Sequence, residues 1–150
     1  MVWPAALSLR ALQPSDDAFM ARVYAACKPD FALLGEPLLS LQRQASRRGY
    51  LARFPDLQSH LILWEGEPVG FVEVAWTDQA LWGVDLGLLP EHRNRSIGAH
   101  IISDLQAQAQ RAGLPMRLSV LEHNPAARLY ARLGFRVEAA EPPYLQMIYP

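Results

Sequence analysis

Arg93-Asn94-Arg95-Ser96-Ile97-Gly98-Ala99 puts two cations among small side chains where a strand gives way to an apolar-periodic segment. A helix starting here leaves its first N–H groups without intrahelical partners, and those donors and the helix dipole both favour negative charge. Gly98 and Ala99 leave room for several donors to converge, and Arg93 and Arg95 add charge. The chemistry this suits is the holding of a phosphate-bearing ligand. An ordinary basic helix start accounts for the same residues without one. A second segment, Val120 to Phe135, begins with Asn124 as an N-cap and Pro125 at the first helical position, and stops at Gly134. A capped amphipathic helix explains Asn124, Leu129, Leu133 and Gly134, but not why it follows the first segment by one crossover.

The elements that position these segments can be read from periodicity and punctuation. Leu7 to Leu12 reads as a strand. Ser15 or Asp16 caps a helix with Phe19, Val23 and Tyr24 on one face. A second helix runs from Leu38 to Ala52, with Leu38, Leu41, Ala45 and Leu51 inward and Gln42, Arg43, Arg47 and Arg48 outward. Leu61 to Trp64 and Val69 to Trp76 are strands joined by the turn Glu65-Gly66-Glu67-Pro68. Ala80 to Leu89 is a third strand of the same meander. Ile97 to Ala112 is the central helix, with Gly113 as its stop. Arg117 to Leu121 is a strand, Asn124 opens the next helix, and Phe135 to Ala140 and Tyr144 to Tyr149 pair around Glu141-Pro142-Pro143. The strand–helix–strand unit through the central helix implies one parallel pair in an otherwise antiparallel sheet. The expected class is a mixed α/β (α+β) fold.

Composition bounds the function. At 150 residues the chain is expected to be a single domain, residues 1–150, and 51% hydrophobic against 19% charged residues excludes disorder. A formal net charge of -1 argues against a nucleic-acid partner. No apolar run spans a bilayer and Met1-Val2-Trp3-Pro4 lacks a signal-peptide pattern, so no membrane association is expected. Cys27 stands alone, which fits a reducing cytoplasm. No clustered ligand pattern predicts a metal, and there is no Gly-x-Ser-x-Gly elbow.

Taken together, the two segments resemble those of the GNAT superfamily of N-acetyltransferases. That family's coenzyme turn runs Arg/Gln-x-x-Gly-x-Gly/Ala after a strand ending near a proline. The counterpart here is Arg93-x-x-Ser96-x-Gly98 after Leu88-Leu89-Pro90. The family's Asn-initiated helix, running into Leu-Tyr and then Gly-Phe, is matched by Asn124, Leu129-Tyr130 and Gly134-Phe135. The element order agrees along nearly the whole chain. Ser96 stands where glycine is usual, where its Cβ crowds a phosphate or its hydroxyl donates to one.

The resemblance implies a GNAT-like sheet with helices on both faces and a parallel strand pair splayed to bind coenzyme A. It implies acetyl-CoA as cosubstrate, with Leu86, Gly87 and Leu88 along the pantetheine arm. Arg93, Asn94, Arg95, Ser96, Ile97, Gly98 and Ala99 would cradle the pyrophosphate. Asn124 would cap its helix and touch the pantetheine arm, and the Leu88 N–H would donate to the thioester carbonyl. Tyr130 would be the general acid at the leaving thiolate. An ammonium substrate must lose a proton before it attacks, and Asp85 ranks first as base, then Glu73. A solvated or paired side chain is the plainer reading of each acid, and a satisfied core hydroxyl that of Tyr130. Tyr50, Phe54, Trp76, Trp82 and Tyr144 either line an acceptor site suited to a cationic or aromatic amine or fill the core. The expected acceptor is a primary amine, on a small molecule or a peptide N-terminus, attacked directly in a ternary complex. A homodimer paired through the last strands is compatible with this. The competing readings are a non-catalytic acyl-CoA-binding regulatory module and a regulatory domain holding another phosphate ligand.

Overall fold

Seven strands form one sheet in the order β1-β2-β3-β4-β5-β7-β6. They are β1 Leu7–Ala11, β2 Gln58–Trp64, β3 Glu67–Trp76, β4 Leu81–Leu88, β5 Met116–Leu121, β6 Arg136–Glu141 and β7 Tyr144–Tyr149. The helices are α1 Asp17–Cys27, the single turn α2 Pro29–Ala32, α3 Leu38–Arg53, α4 Ile97–Arg111 and α5 Ala126–Arg132. This computed structural model describes residues 2–93 and 95–150, and of Phe31 the backbone alone. Among the described residues, no helix is long and apolar enough to cross a membrane.

Alternation along the strands sends side chains to two cores. Leu61 and Phe71 pack with Met20 and Val23 of α1 on one face. Ile62, Val72 and Val74 pack with Ile97, Ile101, Ile102 and Leu105 of α4 on the other, where Tyr130 of α5 joins them. Leu61 and Ile62, neighbours in the chain and both fully buried, belong to opposite cores. Each such side chain contributes roughly 1.5–3 kcal/mol by leaving water. Gly70 lies directly opposite Leu88 in the β3–β4 ladder, and a Cβ there would come within 2.2 Å of the Gly87 carbonyl oxygen. The close approach of these strands therefore requires glycine.

Every β-pair is antiparallel except β4 with β5. That parallel pair is short, joining only Leu81, Trp82 and Gly83 to Met116, Arg117 and Leu118. The β3–β4 register shifts between Glu73 and Val74, which oppose Asp85 and Gly83, so Val84 is an extra residue. Such a bulge bends its strand. Past it β4 follows β3 alone, while β5 continues beside β7 as far as Leu121 opposite Tyr144. A gap opens between the two parallel strands.

Helix α3 departs from its expected orientation. Leu38, Leu41 and Leu51 are 51%, 55% and 44% exposed, and Ala45 is exposed with them. The Arg43 side chain is only 14% exposed and that of Arg47 30%. The buried Glu73 on β3 draws a guanidinium inward, and an uncompensated carboxylate there would cost more than leaving leucines half in water. The start of α1 also differs in detail. A 3-10 turn, Pro14–Asp16, precedes it, and the Asp16 carboxylate accepts from the Gln13 N–H at 2.8 Å and from both Nη atoms of Arg10 at 2.8 Å.

Candidate active site

The gap between β4 and β5 exposes backbone donors. The Leu89 N–H donates to the Val69 carbonyl at 2.9 Å. Successive N–H groups of a strand point to opposite edges, so that of Leu88 faces away from β3 and into the gap. The Leu86 N–H shares this edge but is taken by Asp85 Oδ1 at 2.9 Å. Gly87, between them, carries α1 on its bare surface, where a Cβ would meet Phe71 at 2.6 Å and Val23 at 3.0 Å.

At the end of β4 the chain makes a 3-10 turn, Pro90–His92, and re-enters helix at Ile97. Ser96, the N-cap, is left-handed at φ 60 and ψ 18, a conformation costing a side-chain-bearing residue roughly 1 kcal/mol. This geometry is the local reason for glycine to be usual there. The first helical bond runs from the His100 N–H to the Ser96 carbonyl, at 3.0 Å. No described residue accepts from the N–H groups of Ile97, Gly98 or Ala99. Among the described residues, a Cβ on Gly98 would touch only Leu129 Cδ2, at 3.5 Å, so packing against them does not demand glycine there. The expected cations point elsewhere. Arg93 donates through Nε and Nη2 to the Leu88 carbonyl at 3.3 and 3.1 Å, with Nη2 also 3.5 Å from Cys27 Sγ. Arg95 lies over the Trp64 ring at 5.5 Å. Asn94 lies outside the described residues.

Across the ladder Glu73 and Asp85 are direct partners, and their surroundings differ. Glu73 is 2% exposed and receives bonds from Arg47 Nη1 and from Ser59 Oγ, the latter at 2.5 Å. Asp85 is half-buried and forms no ion pair among the described residues. Burial pushes its carboxyl up to about 6. The charge of Glu73 adds to the rise, and Lys28, the Leu86 N–H and Arg47 oppose it without cancelling it. Between these acids and the helices lies a cleft of about 20 Å³, walled in part by Met20, Tyr24 and Tyr50. A space of that size accommodates about one water molecule. Burial, and then the Asp85 and Glu73 charges, hold the Tyr50 phenol well above its ordinary range.

Tyr130 comes from the opposite side of the sheet, on α5. Its helix is short, but the Asn124 Oδ1 accepts from the Ala126 N–H at 2.9 Å and anchors the first turn. The Tyr130 ring is 8% exposed and stands 5.8 Å from that of Phe135. Burial and then the Asp85 charge push its phenol up to about 12. The phenol therefore keeps its proton at neutral pH, near enough to Asp85 to feel its charge across the gap.

Asp85 and Glu73 thus share one cleft, Leu88 lies further along β4 with α4 starting beyond it, and Tyr130 lies within electrostatic range of Asp85. Of the five aromatics, Tyr50 reaches the acid cleft. Phe54 and Trp82 pack on each other at 5.8 Å under Arg53, which stands 5.0 and 4.6 Å from their rings. Trp76 and Tyr144 are 36% and 46% exposed. Sequence reasoning missed Arg47 and Ser59 as the partners of Glu73. Arg43, Arg47 and Tyr50 recur at intervals of four and three, the spacing of one helical face, and that stripe was the available signal.

The sequence profile of the Acetyltransferase (GNAT) family matches residues 20–135. Among curated proteins none matches in sequence. Solved structures share the fold along its length. A PaiA N-acetyltransferase from Thermoplasma acidophilum, in complex with coenzyme A, is 19% identical, with 95% of this chain and 97% of that one covered at a TM-score of 0.72. An acetyltransferase from Thermus thermophilus is 23% identical, with 97% of each chain covered and a TM-score of 0.74. Arabidopsis thaliana Naa50, in complex with the bisubstrate analogue CoA-Ac-MVNAL, is 13% identical, with 96% of this chain and 97% of that one covered and a TM-score of 0.65.

Proposed function

The chain belongs to the GNAT acetyltransferase family, and from that premise we propose that it transfers an acetyl group from acetyl-CoA to a primary amine by direct attack in a ternary complex. The observation that carries this reading is the gap between β4 and β5, with the Leu88 N–H turned into it and the open N-terminus of α4 beside it. These residues fit the cosubstrate. The N–H groups of Ile97, Gly98 and Ala99 suit its pyrophosphate, and the β4 edge at Leu88, whose N–H is not taken up by β3, suits a pantetheine amide. The coenzyme-A-bound Thermoplasma protein and the Naa50 complex with a peptide-bearing analogue support the same assignment. The lone thiol Cys27 supports a reducing compartment such as the cytoplasm.

Bound acetyl-CoA supplies a thioester as acyl donor. Asp85 takes a proton from the acceptor ammonium, directly or through one water in the cleft, and its raised pKa makes it a useful base near neutral pH. The Leu88 N–H donates to the carbonyl oxygen as charge develops there. Tyr130 holds its proton at Oη for the departing sulfur. Glu73, tied to Arg47 and Ser59, serves as a fixed negative neighbour that keeps Asp85 basic.

A thermal-shift and calorimetric titration with acetyl-CoA, with ATP and NAD as controls, tests the cosubstrate. A ligand at roughly 100-fold its dissociation constant adds about 2.7 kcal/mol and raises the midpoint by several degrees. The expected result is a shift with acetyl-CoA alone, followed by thiol release with an amine from a panel. Equal shifts with ATP or NAD would overturn the cosubstrate. Binding with no thiol release for any amine would make the chain an acyl-CoA-binding module.

A further inference from the structure

A larger cavity, about 330 Å³, opens beside the acid cleft between the first residue of α1 and the middle of α3. Its walls are Asp17, Arg43, Gln44, Arg47 and Arg48. Arg43 and Arg47 also line the acid cleft, so the two spaces meet at these guanidiniums. Residues four apart on a helix share a face about 6 Å apart along its axis. The cavity therefore adjoins, across Arg43 and Arg47, the cleft that Asp85 lines.

Charge in this cavity is unbalanced. Of its three arginines, Arg43 Nη2 pairs at 3.0 Å with Asp17, which is 72% exposed, and Arg47 pairs with Glu73, so Arg48 is the cation in excess. Arg43 Nε is buried without a partner among the described residues. Arg47 uses one Nη on Glu73. Arg48 is exposed and has no ion-pair partner among the described residues. The pairings with Asp17 and Glu73 account for Arg43 and Arg47 but not for Arg48, since concentrated like charges repel. Guanidinium groups in a concave wall match the paired oxygens of a carboxylate or phosphate.

Resting on the acetyl-transfer reading, we propose that the acceptor carries an anionic group, a carboxylate or a phosphate, a short distance from its amine. The anion sits in the arginine cavity and the nitrogen at Asp85. The sequence suggests an acceptor site suited to a cationic or aromatic amine, with acids nearby. Arg47 already occupies one of these acids, Glu73, and the arginines oppose a second cation on the substrate.

Matched acceptors test this. 4-Aminobutyrate, butylamine and putrescine share a four-carbon chain and differ at the far end, while O-phosphoethanolamine against ethanolamine separates phosphate from carboxylate. One of the two anionic acceptors is expected to exceed its uncharged counterpart at least tenfold in kcat/KM, with putrescine poorest of its set. Arg48→Gln is expected to collapse that ratio at least fivefold, through KM rather than kcat. Butylamine or putrescine used as well as the anionic acceptors, or a ratio unchanged in Arg48→Gln, would overturn the proposal.

Calorimetry with coenzyme A present keeps the test independent of turnover. N-Acetyl-4-aminobutyrate and N-acetyl-O-phosphoethanolamine are compared with N-butylacetamide. Tighter binding of an anion, lost in Arg48→Gln, supports the arginine cavity even if no amine is acetylated and the acetyl-transfer reading fails. Equal binding, or none, counts against the cavity.

Discussion

Asp85 titrates near neutrality because burial outweighs the cations around it. Its folded pKa of about 6 lies above the model-peptide value of 3.8, so the base form fills in only as pH rises through about 6. With Asp85 as the base, kcat/KM climbs across that window and then levels. Asp85→Asn is expected to remove this acidic limb and lower the plateau by roughly 10²-fold or more. A limb unchanged in Asp85→Asn would take the carboxylate out of the mechanism. Linkage gives the same group a second readout. A raised carboxyl pKa means the ionised form costs stability, a cost absent below 3.8 and complete above about 6. Asp85→Asn should therefore stabilise the fold at pH 7 and not at pH 3. The gain is on the order of 1 kcal/mol, since partial exposure screens the charge. Tyr130 has the opposite task of keeping its proton. Tyr130→Phe is expected to cut kcat by roughly 10²-fold while the dissociation constant of acetyl-CoA barely moves. Unchanged turnover would leave Tyr130 as a core residue packed on Phe135.

At the scale of elements, α3 and the start of α4 carry the least expected features. α3 presents arginines to the sheet and leucines to water, because β3 places Glu73 beneath it. Arg47→Ala leaves that carboxylate buried with only Ser59, and is expected to cost about 3 kcal/mol. Leu41→Gln should stay within about 0.5 kcal/mol of the parent. Urea unfolding of the two variants checks the pair, and a reversed order would contradict the observed orientation of α3. At α4, Ser96 holds a left-handed N-cap. Ser96→Gly should relieve roughly 1 kcal/mol and raise the thermal midpoint by about 2–4 °C. A lowered midpoint would show that the serine hydroxyl does more for the turn than the strain costs.

For the whole molecule, two cores clamp one sheet, and the sheet parts only where β4 and β5 diverge. Global stability should depend on Asp16, which ties β1 to the entrance of α1 through Arg10. The Arg10 guanidinium, with the Gln13 N–H, holds the Asp16 carboxyl at about 2, below its ordinary 3.8. A depressed carboxyl pKa contributes stability in full above 3.8, lost as pH falls through about 2. Asp16→Ala is therefore expected to lower the unfolding midpoint at pH 7, with the difference from the parent shrinking between pH 4 and 2. A difference independent of pH would assign the loss to packing instead.

Sequence alone determined the order of strands and helices, the basic turn before α4 and the Asn124–Gly134 helix, because hydrophobic period, caps and glycine stops are local properties. It also named Asp85, Glu73 and Tyr130, through their places in segments that resemble a known family. It ranked Asp85 ahead of Glu73 as base but gave no difference in their surroundings, since both are single carboxylates on strands. Only tertiary structure decided that Glu73 is paired with Arg47 and hydrogen-bonded by Ser59 while Asp85 has no ion pair among the described residues. The burial of α3 was misread for the same reason. Its leucines have the right spacing for an inward face, but a buried charge two elements later in the chain made the polar face the favourable one to bury. The family resemblance implied a splayed parallel pair, but the local cause of the gap between β4 and β5 lay out of reach, because a one-residue bulge against β3 is a property of strand pairing. Desolvation, charge compensation and register each depend on residues distant in the chain, so they arise only when the fold brings those residues together.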